Sequence, residues 1–441
     1  MEILFRSALI PRGGRLVARD VVVEGGVVAR VTGPGSISPV GRTGGGPACH
    51  GSTGGFDNAA GRAAGIIEAE GRVLVPAFVD PHVHVREPGF DHKEDWETCS
   101  KAALKGGASC IFDMPNNKIP VNRYGLLLEK KAIAIRKSYV DFGLYVALTD
   151  DNGRTLLEAL IQSEICGIKV YMAETTGKII AGSENALLDA FRQPKPVLFH
   201  TGGGEGLSRA LSVYEKASTA YPHPPPFYAC HVSTADELAL LRRAKRRFLR
   251  VYAEVAPHYL LLEAGTYKGF PGVLPPLSSQ SDVDALWGGV EDGTIDTLGT
   301  DHAPHTVEEK RMPKPPSGFP GLETAMPLML GAFAERNLPL KRLFELSSKN
   351  TRRIFMSDHG GPPDRAGEDD WIHQGMSADL ALFEEGEFII GADGYATKCG
   401  WSPFEGWSAA YKVSVTVVGG VVAYENGAFS KPPIRCVSGK T

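Results

Sequence analysis

The stretch Asp80-Pro81-His82-Val83-His84-Val85-Arg86-Glu87-Pro88-Gly89 follows an apolar run from Val73 to Val79. The apolar run predicts a buried strand. Residues two apart on a strand point to the same face, so we expect His82, His84 and Arg86 on one side. Two neighbouring imidazoles can share a metal ion, and an arginine beside them can hold an anion. Two ordinary strand histidines are an equally good interpretation of a His-x-His pair alone, so the rest of the chain has to decide.

Length and composition indicate a globular protein. The chain has 441 residues, of which 43% are hydrophobic and 22% charged, and a net charge of −4. This near-balance gives no reason to expect nucleic acid or an acidic membrane surface as a partner. No apolar run is long enough to span a bilayer, and the first residues lack a signal-peptide profile. The 7 cysteines have no CxxC spacing, which indicates reduced thiols. We therefore expect a cytoplasmic protein.

A strand-then-helix pattern repeats from residue 76 to about residue 310. The strand-like runs are Ala77–Val85, Ser109–Met114, Asp141–Leu148, Gly167–Met172, Pro196–His200, Phe227–Val232, Val251–Val255 and Thr294–Thr300. Segments of helical composition between them include Asp95–Lys105, Arg123–Arg136, Asp236–Arg247 and Asp282–Gly289. This pattern predicts an α/β fold, a closed (β/α)₈ barrel of the TIM type.

Short β-type runs lie on both sides of the predicted barrel. The simplest arrangement is a small β-sandwich domain built from residues 1–75 and 376–441, with the barrel domain 76–375 inserted between its halves. After the barrel strands, β-runs are predicted at Ala378–Phe383 and Phe388–Ile390. Gly, Ser, Pro and Ala dominate residues 33–65, which predicts a mobile insertion.

Polar groups follow or end the predicted barrel strands, where barrel enzymes carry their catalytic groups. They are His82, His84, Asn116, Lys169, His200, His231 and Asp301. One such placement would be incidental, but placements on six different strands favour an active site. Four imidazoles and a carboxylate are too many ligands for one tetrahedral zinc and suit two metal ions, which activate water at neutral pH.

Lys169 is the unusual member of this set, because a lysine inside a barrel strand is costly as a cation. Its neutral amine can react with carbon dioxide to give a carbamate, which would bridge two metals as a carboxylate. The alternative is an internal salt bridge with Asp301 or Glu254. Asp301 itself can take the proton of the attacking water and deliver it to a leaving nitrogen. Arg86, with Asn116 and His305 nearby, could surround a substrate carboxylate.

Four motifs carry a resemblance to a known family. They are the stretch 80–89, Met-Pro-Asn at 114–116, Thr-Asp-His-Ala-Pro-His-Thr-Val-Glu-Glu-Lys at 300–310 and Gly-Phe-Pro-Gly-Leu-Glu-Thr at 318–324. From about residue 73 to residue 411 the chain resembles the cyclic amidohydrolases, and within them the dihydroorotases. It is most similar to the type fused into the animal multifunctional pyrimidine enzyme, because Lys169 stands where many bacterial relatives have Asp.

The resemblance implies an enzyme, a zinc-dependent hydrolase that reversibly cyclises N-carbamoyl-L-aspartate to (S)-dihydroorotate in pyrimidine biosynthesis. The implied ligands are His82 and His84 for one zinc, His200 and His231 for the other, N6-carboxylated Lys169 as bridge, and Asp301 as ligand and general acid/base. In the animal type a further zinc binds at the positions of Cys230 and Glu254, residues that also suit packing and support of the metal ligands.

The resemblance also implies the substrate contacts and partners. Arg86, Asn116 and His305 hold the substrate carboxylate. Leu274 and Ser317 stand where relatives have other residues, so their contacts with substrate would come from the main chain. The implied partners are the small-molecule substrate, further copies in a homo-oligomer, and an aspartate transcarbamoylase.

Two alternative functions stay open at this point. An allantoinase or hydantoinase belongs to the same superfamily, but Arg86, Asn116 and His305 argue against hydantoinases, whose substrates lack the ring carboxylate. A non-catalytic barrel that scaffolds a partner belongs to another class. It predicts lost metal ligands, whereas all of the expected ones are present in this chain.

Overall fold

The computed structural model describes residues 2–37, 55–57, 63–174, 179–248, 250–356 and 371–438. The strands are β1 (Glu2–Arg12), β2 (Arg15–Glu24), β3 (Val27–Thr32), β4 (Gly55–Asp57), β5 (Ala63–Glu68), β6 (Val73–Pro76), β7 (Phe78–Val83), β8 (Ala108–Asp113), β9 (Asp141–Ala147), β10 (Gly167–Tyr171), β11 (Val197–His200), β12 (Phe227–Ala229), β13 (Val251–Val255), β14 (Thr297–Leu298), β15 (Leu380–Ile389), β16 (Ser408–Val418), β17 (Val421–Glu425) and β18 (Ala428–Phe429).

The helices alternate with the middle strands and then follow them. They are α1 (Trp96–Lys105), α2 (Tyr124–Lys137), α3 (Ala159–Gln162), α4 (Glu184–Ala190), α5 (Gly204–Ala220), α6 (Ala235–Arg247), α7 (Pro257–Leu261), α8 (Gln280–Glu291), α9 (Val307–Lys310), α10 (Ala325–Glu335), α11 (Leu340–Phe344) and α12 (Asn350–Phe355), with a 3₁₀ turn at Thr155–Leu157 and a π turn at Glu345–Lys349. Among these described helices, none combines the length and the apolar character needed to cross a membrane.

Strands β7 to β14 form one eight-stranded sheet in chain order, and the neighbours are parallel. Most of their residues are buried, as expected for parallel strands covered on both faces. The sheet closes between its first and last strands beyond β14, where Val83 bridges His302 and the His84 amide donates to the His302 carbonyl at 2.9 Å. The predicted (β/α)₈ barrel is therefore confirmed.

The second sheet joins both ends of the chain in the order β18-β17-β16-β15-β6-β1-β2-β3. The accompanying β-domain is thus confirmed, while the boundaries at residues 75 and 375 stay predictions. The two runs predicted at 378–383 and 388–390 were wrong as separate strands. They belong to the single strand β15, whose register against β16 shifts after Leu382 and after Glu385.

Part of the predicted insertion 33–65 lies outside the described residues, namely 38–54 and 58–62. Within its described part, β4 pairs with β5 in antiparallel fashion, and β5 pairs in parallel with β1. Residues 55–57 and 63–65 of this segment therefore belong to the second sheet.

Helix α1 anchors the loop that follows the first barrel strand. Its N-cap Asp95 accepts from the Thr98 amide at 3.0 Å, and the Thr98 hydroxyl accepts from the Asp95 amide at 3.4 Å, which completes a capping box. The Glu87 carboxylate accepts from the Trp96 amide at 3.1 Å. The loop between β7 and α1 is thus fixed to this helix at two points, by Glu87 near its start and by Asp95 at its end.

Candidate active site

Four histidines and an aspartate meet where the barrel strands end. His82 and His200 lie at the ends of β7 and β11, while His84, His231 and Asp301 follow β7, β12 and β14. All five are buried. Asp301 Oδ1 lies 3.3 Å from His82 Nε2 and 3.0 Å from His84 Nε2, and His200 Nδ1 lies 2.9 Å from His231 Nε2. The structure thus brings these residues together.

The contacts of His84 test whether a metal fits. Its Nδ1 lies 2.7 Å from Asn116 Oδ1, an atom that only accepts, so Nδ1 carries the proton. Burial lowers the pKa of His84 to about 3, so the ring is neutral and Nε2 presents a lone pair to the Asp301 carboxylate. His84 Nε2 and Asp301 Oδ1 are then two acceptors that face each other at 3.0 Å. A cation between them would satisfy both. Zinc ligands at roughly 2.0–2.1 Å in tetrahedral arrangement lie about 3.3 Å apart, so the residues fit the ion.

His82 lies in an anionic part of the same cluster. Its Nδ1 contacts Glu254 Oε1 at 2.7 Å, and Glu254 also accepts from the His231 amide at 3.0 Å and from the Tyr228 hydroxyl at 2.8 Å. Burial opposes a charge on His82, but Glu254 and then Asp301 outweigh burial and raise the pKa of His82 to about 10. This environment favours positive charge, whether a proton or a divalent cation supplies it.

The imidazoles of His200 and His231 are kept neutral. Burial and the charge of Lys169 lower the pKa of His200 to about 3. Burial and the neighbouring His200 lower the pKa of His231 well below its usual range. His231 Nδ1 is buried and has no hydrogen-bond partner among the described residues. Neutral imidazoles are the form that binds metals.

Lys169 is completely buried on β10, and its amine donates to the Cys230 thiol at 2.9 Å. The salt bridge considered for Lys169 with Asp301 or Glu254 does not occur among the described residues. Cys230 instead belongs to a second group with potential metal ligands. The ligand atoms of His82, Cys230 and Glu254 lie within 4.8 Å of one another, as do those of His82, His84 and Asp301.

Three site residues adopt left-handed backbone conformations that non-glycine residues seldom use. The φ angles are 71° for Arg86, 36° for His231 and 48° for Asp301. Each such residue costs on the order of 1–3 kcal/mol, and the surrounding fold must impose it. The expectation that Arg86 continues the strand face of His82 and His84 is therefore wrong, because β7 ends at Val83 and Arg86 itself has a left-handed backbone.

Arg86 nevertheless lies beside the cluster, where its charge acts on His84. Its Nη2 lies 3.3 Å from His305 Nε2, and its Nε and Nη1 are buried without a hydrogen-bond partner in the described part of the chain. His305 Nε2 also lies 2.9 Å from the main-chain carbonyl of Ser317. Several buried donors therefore converge with few acceptors, which is the arrangement that binds a carboxylate.

The remaining predicted substrate contacts differ in their settings. Asn116 is buried and bonded to His84. Ser317 faces His305 through its carbonyl. Leu274 is 43% exposed and precedes the cis bond to Pro275. The contacts of all three residues with substrate stay predictions.

Sequence reasoning missed several residues that support the site. Asp80 accepts from the His82 amide at 3.1 Å and the Thr300 amide at 3.0 Å, so it joins the first and last barrel strands beside the cluster. Lys93 contacts His305 Nδ1 at 3.1 Å, and Trp401 donates to the His305 carbonyl at 2.8 Å. An aspartate in an apolar strand was the available signal for Asp80, whereas the other two contacts join distant loops.

Comparison with known proteins agrees with this geometry. The family model described as "Amidohydrolase family" matches residues 73–423. A dihydroorotase of Methanosarcina acetivorans is 32% identical, over 83% of this chain and 85% of its own length. A dihydroorotase of Pyrococcus furiosus is 33% identical, over 82% of this chain and 84% of its own length.

Two further similarities have a narrower meaning. The multifunctional protein CAD of Squalus acanthias is 32% identical over 82% of this chain, which spans only 15% of the length of that relative. The structure of an L-hydantoinase from Arthrobacter aurescens superimposes with a TM-score of 0.82 over 99% of both chains at 24% identity, a likeness of fold. On the family match and the relatives of similar length, the chain belongs to the amidohydrolase family and, within it, to the group of the dihydroorotases.

Proposed function

We propose that this protein is a dihydroorotase that interconverts (S)-dihydroorotate and N-carbamoyl-L-aspartate in pyrimidine biosynthesis. In the ring-opening direction the ring amide C–N bond breaks, the oxygen of water joins the carbonyl carbon, and a proton goes to the leaving nitrogen. The observation that carries the proposal is the buried guanidinium of Arg86, whose Nε and Nη1 have no hydrogen-bond partner among the described residues, beside His305 and next to the imidazole cluster. A cyclic amide with a ring carboxylate fits both halves of this site.

We propose that His82, His84 and Asp301 hold one zinc ion, that His200 and His231 hold the other, and that N6-carboxylated Lys169 bridges them. Bound zinc would supply a Lewis acid for the amide carbonyl and activated water at neutral pH. The lone pairs that face Asp301 and the unpartnered His231 Nδ1 support this assignment. The burial of Lys169 against a thiol, with no carboxylate partner described, supports carbamate formation.

Asp301 is proposed as the general acid and base. Burial opposes its ionisation, but His82 and His84 outweigh burial and hold the pKa of Asp301 well below its usual range. The carboxylate is therefore ready to accept a proton from the attacking water. Its left-handed backbone keeps the side chain between the two strand-end histidines, from where it can pass that proton to the ring nitrogen.

A third zinc is proposed for His82, Cys230 and Glu254, on the strength of the short distances among their ligand atoms. In the two-zinc form, Glu254 instead orients His82 through its contact with Nδ1. Counting zinc per chain in the wild type and in Cys230→Ser decides between these forms. A decrease from three to two equivalents supports the third site, and two equivalents in both proteins would exclude it.

We also propose that the protein acts in the cytoplasm as a homo-oligomer, in association with an aspartate transcarbamoylase. The support is that the matching segment lies within a much longer multifunctional chain in relatives such as CAD. Light scattering of the protein alone, and after mixing with an aspartate transcarbamoylase, measures both associations. A monomer that does not change mass on mixing would contradict them.

The activity is tested by following the pyrimidine-ring absorbance band with dihydroorotate, with hydantoin and allantoin as controls. We expect loss of the band with dihydroorotate and its reappearance with N-carbamoyl-L-aspartate. A preference for hydantoin or allantoin would replace the proposed substrate. A well-folded, zinc-loaded protein inactive on all three would favour the non-catalytic scaffold.

A further inference from the structure

Lys93 is a buried lysine with no assigned role in the chemistry. It lies in the loop between β7 and α1, and only 7% of the residue is exposed. Its amine approaches His305 Nδ1 to 3.1 Å and Glu309 Oε1 to 3.2 Å. Burying a long cation beside a histidine is costly, so the contact with His305 calls for a physical explanation.

The neighbours of His305 determine which ring nitrogen carries the proton. Nε2 lies 2.9 Å from the Ser317 carbonyl, which only accepts, so this contact requires a proton on Nε2. Burial, followed by the charges of Arg86, Lys93 and Lys310, lowers the pKa of His305, so the ring is neutral and has one N–H. Nδ1 is then an acceptor, and the amine of Lys93 is its donor.

The opposite tautomer is disfavoured by the same contacts. A proton on Nδ1 would face the Lys93 amine at 3.1 Å and would leave Nε2 and the Ser317 carbonyl as two acceptors 2.9 Å apart. Its compensation would be a bond from Nδ1 to Glu309 Oε2 at 3.5 Å and one from Arg86 Nη2 to Nε2 at 3.3 Å, both longer than the two contacts it would lose. Lys93 therefore selects the tautomer.

The selected tautomer keeps the Arg86 donors free. With its proton on Nε2, His305 donates to the Ser317 carbonyl and cannot accept from Arg86 Nη2, which lies 3.3 Å away. The guanidinium donors of Arg86, of which Nε and Nη1 have no hydrogen-bond partner among the described residues, are then available to a carboxylate. With the proton on Nδ1, Nε2 would instead accept from Arg86 and occupy one of these donors.

We propose that Lys93 is a positioning residue that, by donating to His305 Nδ1, keeps the proton on Nε2, so that His305 does not accept from Arg86 and the guanidinium donors stay available to the substrate carboxylate. The inference rests on the proposed function for the identity of the carboxylate. Lys93 acts through His305, without touching the substrate.

The test combines histidine ¹⁵N NMR with steady-state kinetics on the zinc-loaded full chain. In the wild type we expect the His305 signals, assigned by their loss in His305→Asn, to show the Nε2-protonated tautomer. In Lys93→Met we expect loss of this preference. We also expect the KM for dihydroorotate to rise about fivefold to tenfold, the effect of losing one hydrogen bond, with kcat within about twofold of wild type.

Lys101→Met serves as the matched control, because this lysine pairs with Glu97 on the outside of α1 and should change neither readout. A wild-type His305 protonated on Nδ1 would overturn the inference even if Lys93→Met did not fold. An unchanged tautomer or an unchanged KM in a folded Lys93→Met would also overturn it. If the wild type does not turn over dihydroorotate, the proposed function fails, and the tautomer measurement still decides the role of Lys93.

Discussion

Replacing Arg86 by methionine is expected to weaken substrate binding without destabilising the fold. In the free protein Nε and Nη1 of this arginine are buried without a hydrogen-bond partner among the described residues, which is unfavourable for folding. Methionine has a similar length and brings no charge, so removal of the guanidinium is expected to be neutral or stabilising. The same orphan donors are the ones that a substrate carboxylate would satisfy.

The loss of binding follows from the number of bonds. A carboxylate held by two guanidinium donors makes two charge-assisted hydrogen bonds, each worth about 1.5–3 kcal/mol. Taking the lower value for both gives about 3 kcal/mol, which corresponds to roughly a 150-fold higher KM. The expected decrease in kcat is smaller, because the carboxylate lies away from the amide that reacts.

The assay is the steady-state KM for dihydroorotate and N-carbamoyl-L-aspartate, together with thermal unfolding of both proteins. Arg246→Met, at an exposed arginine in the last turn of α6, is the control and should leave both quantities unchanged. A KM within about threefold of wild type would reject the role of Arg86. A decrease in unfolding temperature of more than about 5 °C would show that the guanidinium is instead a stabilising element.

Three further predictions concern other groups. Asp301→Asn should abolish turnover with an unchanged circular dichroism spectrum, and wild-type rates would refute its role as acid and base. Lys130→Met should lower the free energy of unfolding, measured by denaturant titration, by about 3–5 kcal/mol. The reason is that the fully buried Asp113 carboxylate, 2.6 Å from the Lys130 amine, would lose its counter-charge. A loss below about 1 kcal/mol would show that this pair is not a structural requirement. Asp95→Asn should reduce stability at neutral pH but not in acid. Burial opposes ionisation of Asp95, but Lys398 and the Thr98 amide outweigh burial and lower the pKa of this carboxyl. The ionised carboxylate therefore stabilises the fold above the unfolded pKa, and this stabilisation disappears as pH falls through the folded pKa. Equal destabilisation by Asp95→Asn at both pH values would contradict this.

The barrel and its cluster of candidate metal ligands could be predicted because both depend on local patterns. Each buried parallel strand is a short apolar run, and the polar residue at its C-terminal end is adjacent in sequence. The fold then brings together His82, His200, His231 and Asp301, of which the first and the last are more than 200 positions apart in the sequence. The same logic failed at Arg86, because β7 ends at Val83 and Arg86 itself has a left-handed backbone.

The supporting contacts could not be predicted, since they join loops with no shared pattern. Lys93 contacts His305, which is 212 positions away in the sequence. Trp401, in the connection between β15 and β16, contacts the same residue from 96 positions away. The predicted length of strand β14 was also wrong. Seven residues were expected, but only Thr297–Leu298 form the strand, although the amides of Asp296 and Gly299 on either side also donate to β13, to the carbonyls of Ala253 at 2.7 Å and Val255 at 3.1 Å.

The central claim is a zinc-dependent dihydroorotase, and zinc titration of chelator-treated protein tests it most directly. Dihydroorotate turnover is measured at each ratio of zinc to chain. We expect no turnover without zinc, a rise up to two equivalents per chain, and an unfolding temperature that rises with it because the ion binds only the folded chain. Full turnover without zinc, or none on dihydroorotate at two bound equivalents, would contradict the account.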